Sequence, residues 1–405
     1  MPENVLACRV RRRSNRTVIY FDHNATTPLL PEARQAWLEA SETFVGNPSS
    51  PHRLGARADT ALGEARESLA AILGCHASEI IFTSGATESN NTVLHHYART
   101  ATDSEVWVSA IEHPCVLDPA RFYFGQRLKL IPATHDGCAD LTWLEDQLSR
   151  RRPAIVALMA TNNETGALQP WSEAREICRA AGVPFFCDAA QWLGKRPASG
   201  LGECDWVTGA AHKFGGPRGV GFLKVPAQLS ITPLLRGGPQ EETRRAGTEN
   251  VAGVLAMMAA LAKRERQIES SEQEKLCVLR EEFEQRLLQE LPGSEIVSAR
   301  TPRIWNTVSA LMPEADCQQR WVVKLDKLGF AVSTGSACSS GKEQPSHVLL
   351  AMGCSAADAG RVLRFSAGWE TTEDDWNALI TALLSVHKKI SPTAGNILEK
   401  RGTLG

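Results

Sequence analysis

Short runs of β-branched and aromatic residues alternate with amphipathic stretches from about residue 79 onward. Between these runs, apolar positions recur at helical spacing, as in 141–150 and 172–181. The runs predict strands over 79–83, 106–108, 128–131, 155–159, 184–187, 206–208 and 220–223. Because strands and helices alternate, we expect an α/β fold with a mainly parallel, seven-stranded sheet covered by helices on both faces. Ligands of such sheets bind at the carboxyl ends of the strands.

The pattern changes after Gly247. Residues 251–291 are rich in Ala, Leu, Glu, Lys and Arg with few interruptions, which predicts one long helical stretch that Pro292 and Gly293 end. We interpret this stretch as the connector into a second, smaller α+β domain. The sequence therefore predicts a large domain over 20–260 and a small domain over 261–390, with peripheral segments at 1–19 and 391–405.

Composition limits the class of protein. The chain has 405 residues, 43% of them hydrophobic and 22% charged, which is typical of a soluble globular protein with room for two cores. The net charge of −2 gives no reason to expect nucleic acid or an anionic membrane as a partner. No apolar run reaches the roughly 20 residues that span a bilayer. The basic cluster over 9–16 precedes no apolar segment, so we expect a solvated tail; a short targeting segment is the alternative.

The chain's eleven cysteines are scattered. They form no CxxC pair and no Cys/His group at zinc-finger spacing, so we expect neither disulfides nor a metal site, and a cytoplasmic protein. Apolar or helical surroundings predict buried thiols at Cys75, Cys178, Cys187, Cys204, Cys277 and Cys317. Cys338 differs, because it lies in the segment GSACSSG among residues too small to bury it.

Three segments that follow predicted strands carry candidate chemistry. Small and hydroxylated residues begin a helix at Ala86 and Thr87, which makes an anion cradle or, more commonly, an ordinary N-cap. Asp188 directly follows an apolar strand, where it is either a ligand or a cap for the next turn. Lys213 follows another strand and precedes a Gly-Gly-Pro turn, a position suited to forming an imine. Together, an imine lysine, an acid for a pyridinium nitrogen and a helix end for a phosphate are the anchors of a pyridoxal phosphate site.

Ordered motifs from Tyr20 to about Asp375 resemble one family. These motifs are FDHNATTP at 21–28, GNPSS at 46–50, SGATES at 84–89, EH at 112–113, NNE at 162–164, the segments of Asp188 and Lys213, RAGTEN at 245–250, GSAC at 335–338 and RFSAG at 364–368. The chain resembles the cysteine desulfurases of the iron-sulfur-cluster assembly and nitrogen-fixation type, in the class V aminotransferase superfamily. This resemblance implies the PLP-dependent transferase fold of type I, with pyridoxal 5'-phosphate as the cofactor.

The resemblance also implies roles for site residues. Lys213 would hold the cofactor as a Schiff base and then move the α-proton of the substrate. Asp188 would pair with the ring nitrogen, His113 would lie over the ring face as an acid or base, and Asn163 would contact the ring hydroxyl and the substrate. Further cofactor contacts are expected from Ala86, Thr87, Gln191, His212 and, from the partner subunit of a homodimer, Thr248. Arg364 would clamp the substrate carboxylate bidentately.

Cys338 receives its role from the same resemblance. Its thiolate would attack the sulfur of bound L-cysteine, which leaves alanine and a persulfide on the protein. The following segment, with Gly341, Lys342 and Pro345, resembles the longer mobile loop of the group that hands sulfur to scaffolds and tRNA-modifying proteins. A sulfur-acceptor protein is therefore the expected partner.

Three other functions stay open at this point. Selenocysteine lyase cleaves the analogous carbon–selenium bond with nearly the same residues. Another class V enzyme, such as an aminotransferase, has no need of Cys338. A non-catalytic binding protein has no need of Lys213 and Asp188. The chain also departs from the family's common Ser-x-His-Lys pattern, because Ala210 stands where the serine that meets the cofactor phosphate is usual.

Overall fold

The computed structural model describes residues 9–11, 17–314, 320–334 and 345–390. Strands occur at β1 Arg9–Arg11, β2 Thr17–Tyr20, β3 Ile80–Thr83, β4 Val106–Ser109, β5 Leu128–Ile131, β6 Ile155–Ala157, β7 Phe185–Asp188, β8 Trp206–Ala210, β9 Gly221–Lys224, β10 Glu295–Ile296, β11 Thr307–Leu311, β12 Phe330–Ala331 and β13 Val362–Ser366. Strands β3 to β9 correspond to the seven predicted runs. The predicted strand 155–159 ends early, at Ala157, and the other bounds agree to within two residues.

Helices occur at α1 Pro31–Thr43, α2 Arg53–Leu73, α3 Ala86–Thr100, α4 Pro114–Phe124, α5 Leu141–Leu148, α6 Trp171–Ala181, α7 Val251–Glu269, α8 Glu272–Glu290, α9 Arg320–Leu328, α10 His347–Ala351, α11 Ala356–Ala359 and α12 Glu373–Ile390. The prediction of one helical stretch over 251–291 is only partly right, because α7 and α8 are separate helices. The break lies at Ser271, whose φ of 58° is left-handed and cannot continue a right-handed helix.

A seven-stranded sheet forms the centre of the large unit, in the order β3-β9-β8-β7-β6-β4-β5. Strand β9 runs antiparallel to both of its neighbours, and the pairs from β8 to β5 are parallel. The predicted α/β fold with a mainly parallel sheet is therefore confirmed. The carboxyl ends of β7 and β8 lie at the same edge of the sheet, and the candidate site is located at this edge.

Helices cover both faces of this sheet, which explains why its central strands are fully buried and mostly apolar. Trp107 packs into one cluster with residues of α2, α5, α6 and α7. Its neighbours Val106 and Val108 pack into the opposite cluster with residues of α3 and α4. Successive side chains of a strand point to opposite faces of the sheet. When helices cover both faces, the usual alternation of apolar and polar residues along the strand is lost.

A smaller unit surrounds the antiparallel sheet β10-β11-β13. Its core combines Phe283 and Leu287 of α8 with Trp376 and Leu379 of α12, and it also includes Phe21 from the beginning of the chain. The predicted domain bounds at 20–260 and 261–390 stay a prediction. Strand β1 pairs with β2, so residues 9–11 are part of a sheet and not a free tail.

Burial of the cysteines follows the prediction at three positions. Cys178, Cys187 and Cys204 are fully buried, whereas Cys75 and Cys277 are only half-buried because they lie near helix ends or helix surfaces. Cys317 lies outside the described residues.

Among the helices that the structure describes, none combines the length and apolar character needed to cross a membrane.

Candidate active site

A cavity of about 500 Å³ opens where β7 and β8 end and α3 begins. Its wall contains eight of the residues that the sequence singled out: Ala86, Thr87, His113, Asn163, Asp188, Gln191, His212 and Lys213. They come from five separate segments of the chain. Parallel strands bring their carboxyl ends to one edge, which is why residues about 130 positions apart in sequence share one cavity.

Lys213 enters the cavity from a short 3-10 turn, Ala211–Lys213, directly after β8. Its Nζ donates to the backbone oxygens of Asn24 at 2.6 Å and Ala25 at 3.0 Å. Burial, together with the Arg364 guanidinium, lowers the pKa of Lys213 from 10.5 to about 8. The amine is therefore far more easily deprotonated than an ordinary lysine and is able to act as a nucleophile near neutral pH.

Asp188 is the last residue of β7 and is buried. Its Oδ2 accepts a hydrogen bond from Asn90 Nδ2 at 2.7 Å, and its Oδ1 accepts one from the backbone of Ala190 at 2.9 Å. Two donors thus fix the carboxylate at the cavity wall. A carboxylate held in this way is suited to pair with a cationic ring nitrogen in the cavity.

The amino end of α3 forms the anion cradle. Gly85 caps the helix with a φ of 145°, a conformation that favours glycine, and the first N–H groups of the helix have no intrahelical acceptor. Glu88 in the first turn is paired with Arg245 at 2.8 Å, so its charge is compensated there. The helix end is left with donors and a positive dipole for an anion.

Two histidines border the cavity. Burial lowers the pKa of His212 to about 4, with Lys213 as the next cause, so this imidazole is neutral; its Nδ1 lies 3.2 Å from Thr26 Oγ1. His113 caps α4, and its Nδ1 accepts the backbone N–H of Cys115 at 3.1 Å. Burial lowers the pKa of His113 too, and the Asp188 carboxylate opposes that shift.

Lys195 is a buried residue that sequence reasoning missed. Its Nζ donates to Gln191 Oε1 at 2.6 Å and to Asn24 Oδ1 at 3.2 Å, and Gln191 Nε2 donates to the Asn24 backbone oxygen at 2.8 Å. The position of the Gln191 amide is therefore fixed. The sequence does contain a signal for this pair, because Gln191 and Lys195 are four residues apart and their side chains can meet across one turn. A lysine in a turn, however, ordinarily indicates a solvated charge.

Arg364 lies in β13, outside the cavity wall but bonded to it. One terminal nitrogen of its guanidinium donates to the Asn163 backbone oxygen at 3.0 Å, and the other donates to Asp22 Oδ1 at 2.8 Å. Its Nε is buried and has no hydrogen-bond partner among the described residues. The guanidinium is thus oriented by protein groups with N–H donors still unused.

Thr248 and Cys338 are the remaining predicted site residues. Thr248 is absent from the cavity wall of this single chain. Cys338 lies outside the described residues, so its expected role stays a prediction. The first residues after that segment are described: Ser346 Oγ donates to Glu164, and His347 Nε2 lies 2.8 Å from the backbone oxygen of Glu112.

Comparisons with known proteins show the family of the whole chain. The family model named Aminotransferase class-V matches residues 19–379. Cysteine desulfurase IscS of Dictyoglomus turgidum is 35% identical over 378 residues, which cover 92% of this chain and 95% of that protein. Cysteine desulfurase of Cereibacter sphaeroides is 37% identical over 373 residues, which cover 90% and 94%.

Comparison with solved structures supports the same family assignment. The structure of a NifS-like protein from Rickettsia africae superposes with a TM-score of 0.82 at 31% identity, covering 92% of this chain and 99% of that one. The predicted family and the predicted fold are therefore confirmed. By its sequence, its fold and the arrangement of its cavity, this chain belongs to the class V aminotransferase family and, within it, to the cysteine desulfurases of the NifS/IscS type.

Proposed function

We propose that this protein uses pyridoxal 5'-phosphate to convert L-cysteine to L-alanine and transfers the released sulfur to Cys338 as a persulfide. The observation that carries the proposal is the single cavity in which Lys213, with its lowered pKa, lies with Asp188 and the amino end of α3. An amine, a carboxylate and an anion cradle are the complementary groups for the aldehyde, ring nitrogen and phosphate of this cofactor.

The residues present fit the cofactor. Lys213 would hold its aldehyde carbon, Asp188 its ring nitrogen, and Ala86 and Thr87 its phosphate, with Gln191 and His212 beside them. When bound, pyridoxal phosphate supplies an electron sink for negative charge that develops next to the substrate's amino group. Thr248 would reach the phosphate from the partner subunit of a homodimer, which explains its absence from the wall of one chain.

The protein's own groups would then bind the substrate and move protons. Arg364 holds the substrate carboxylate through N–H donors that neither Asn163 nor Asp22 uses, and Asn163 orients the substrate from the cavity wall. Lys213, a base of pKa about 8, takes the proton from the α-carbon. Hydrogen bonds from Lys213 Nζ to the backbone oxygens of Asn24 and Ala25 hold the amine in place, and this limits the atoms to which it can pass that proton.

Sulfur transfer is assigned to Cys338. Its thiolate attacks the substrate sulfur, a sulfur–sulfur bond forms and the carbon–sulfur bond breaks. The electron pair of the broken bond stays with the carbon, which takes a proton to become the methyl group of alanine. The persulfide is then delivered to an acceptor protein for iron-sulfur cluster assembly or thiolation.

We place this reaction in the cytoplasm, since the eight cysteines within the described residues are all unpaired.

The proposal is tested by incubating the purified protein with L-cysteine, pyridoxal phosphate and a thiol reductant, then measuring sulfide and alanine. Equal amounts of both are expected. Alanine without sulfide, or neither product, rejects desulfuration. A parallel assay with L-selenocysteine distinguishes the lyase, because a selenocysteine lyase produces alanine from that substrate and leaves L-cysteine unchanged.

The lowered pKa of Lys213 predicts how cofactor capture depends on pH. Only the neutral amine attacks the aldehyde, and the Lys213 amine loses its proton with a pKa of about 8. The rate at which the cofactor-free protein regains visible absorbance after addition of pyridoxal phosphate should therefore rise between pH 7 and 9, with a midpoint near about 8. Nα-acetyl-lysine amide is the control amine, and a protein midpoint as high as that of the control would contradict the assignment.

Ala210 offers a test of the phosphate end of the site. It lines the cavity where a hydroxyl is usual in the family, and Thr208, which is buried in β8, does not line it. Ala210→Ser is expected to slow cofactor loss during dialysis against a competing amine by up to about tenfold, which corresponds to roughly 1.4 kcal/mol. Turnover per bound cofactor should change little. Unchanged retention would mean that the phosphate is already fully hydrogen-bonded.

A further inference from the structure

A chain of hydrogen bonds links Asp188 to His113 through two residues to which the proposed reaction assigns no role. Asn90 Nδ2 donates to Asp188 Oδ2 at 2.7 Å and lies 3.0 Å from Cys115 Sγ. Cys115 Sγ in turn lies 2.9 Å from His113 Nδ1. Asn90 is fully buried and Cys115 lines the cavity, so the chain is part of the wall of the site.

The direction of each bond follows from the groups involved. The backbone N–H of Cys115 donates to His113 Nδ1 at 3.1 Å, so this nitrogen is an acceptor and the neutral ring carries its proton on Nε2. Asn90 faces Asp188 with its amino group, because a carboxylate only accepts, and the second hydrogen of that group reaches Cys115 Sγ. The thiol hydrogen is then the donor to His113 Nδ1.

The thiol is in the protonated state that this arrangement requires. Burial raises the pKa of Cys115 to about 12, and the Asp188 carboxylate contributes in the same direction. Cys115 is therefore a hydrogen-bond donor at neutral pH and not a nucleophile. His113 Nδ1 receives two donors, and His113 Nε2 has no hydrogen-bond partner among the described residues.

Several charged groups face His113 besides this chain. The Asp188 and Asp118 carboxylates favour the protonated ring, whereas Lys213 and His347 disfavour it. Cys115 adds a contribution of a different kind, because its hydrogen bond is made only to the unprotonated nitrogen and so favours the neutral ring. The balance of charges around His113 would be the same without the thiol.

We propose that Cys115, oriented by Asn90, is a positioning residue that keeps His113 neutral with its proton on Nε2, so that the ring adds no positive charge beside Lys213. The catalytic meaning of this role rests on the proposed function. The tautomer and the titration of His113 do not, and they are measured without turnover.

The test uses protein labelled with ¹⁵N-histidine, with the His113 signals assigned from the spectrum of His113→Gln. The protein is titrated as purified and again when saturated with pyridoxal phosphate. The wild type should show the Nε2–H tautomer. Cys115→Ala should raise the titration midpoint of His113 by about half to one pH unit, the size expected for one lost hydrogen bond. Cys115→Ser, which keeps a donor, should stay near the wild type.

Two further variants complete the test. Cys75→Ala removes a half-buried thiol that does not line the cavity, and it should leave the His113 midpoint unchanged. Asn90→Ala should shift the midpoint in the same direction as Cys115→Ala, and the double variant should shift it by less than the sum of the two. An unchanged midpoint in Cys115→Ala, an Nδ1–H tautomer in the wild type, or strictly additive shifts would overturn the proposal.

The desulfuration assay gives an independent readout. In Cys115→Ala, the acidic limb of the kcat profile should move to higher pH by the same amount as the His113 midpoint. An inactive wild type would refute the proposed function and leave the NMR result standing. A moved midpoint with an unmoved kcat limb would refute the link between Cys115 and catalysis.

Discussion

Lys213→Ala is expected to abolish desulfuration, by more than about a thousandfold, and to remove the visible absorbance of the bound cofactor. Lys213 is the only lysine among the described residues that line the cavity. Lys195 is close by, but its Nζ is held by Gln191 and Asn24. Within the part of the chain that the structure describes, the variant therefore has no amine in reach of the cofactor aldehyde.

Absorbance after incubation with pyridoxal phosphate, and sulfide release from L-cysteine, are the two measurements. Lys263→Ala is a suitable control, because this lysine lies on the surface of α7 in a loose ion pair with Glu32 at 3.7 Å. The control should keep both signals. If Lys213→Ala kept both as well, another lysine would hold the cofactor and the assignment would be wrong.

Cys338→Ala is expected to keep the bound cofactor and the spectral change on addition of L-cysteine, yet to release less than about one hundredth of the wild-type sulfide. The reason is that binding and proton removal depend on Lys213, Asn163 and Arg364, whereas breaking the carbon–sulfur bond requires a thiolate to accept the sulfur. Mass spectrometry of the wild type should show the gain of one sulfur atom on the peptide that contains Cys338.

Cys75→Ala is the matched control for this variant and should turn over normally. Normal sulfide release by Cys338→Ala would remove the role of this cysteine and favour a mechanism in which the substrate sulfur leaves without a protein thiol. Loss of the cofactor in Cys338→Ala would be equally contradictory, because no cofactor contact is assigned to this residue.

The central sheet was predictable because its signals are local. Each strand from β3 to β9 contains a short, mostly apolar run, and all of these strands except the edge strand β5 are buried under the helices. The break between α7 and α8 was not predictable, since Ser271 is an ordinary residue in a helical sequence. A left-handed conformation at serine has no composition signal; Ser271 is exposed, and its backbone N–H donates to the Ile268 carbonyl where the chain leaves α7.

Much of the candidate site was also predictable. Asp188 and Lys213 follow buried strands, and the carboxyl ends of parallel strands meet at one edge by the geometry of the fold. The hydrogen bonds between these segments were not. Neither Lys195 nor Cys115 carries a predicted role from the sequence. Asn24, which bonds to Lys195, and Asn90, which bonds to Cys115, belong to other segments, and pattern and spacing carry no information about such pairs.

The sequence by itself determined the α/β class, the family and the side chains that supply an amine, a carboxylate and an anion cradle, because periodicity and motifs are properties of neighbouring residues. Only the tertiary structure decided the pKa values and the hydrogen-bond partners of these groups. Burial and Arg364 lower the pKa of Lys213, and Asp22, which is 342 residues away, orients that arginine. Electrostatics and hydrogen bonding act through space over a few ångströms, so they depend on which distant segments the fold brings into contact.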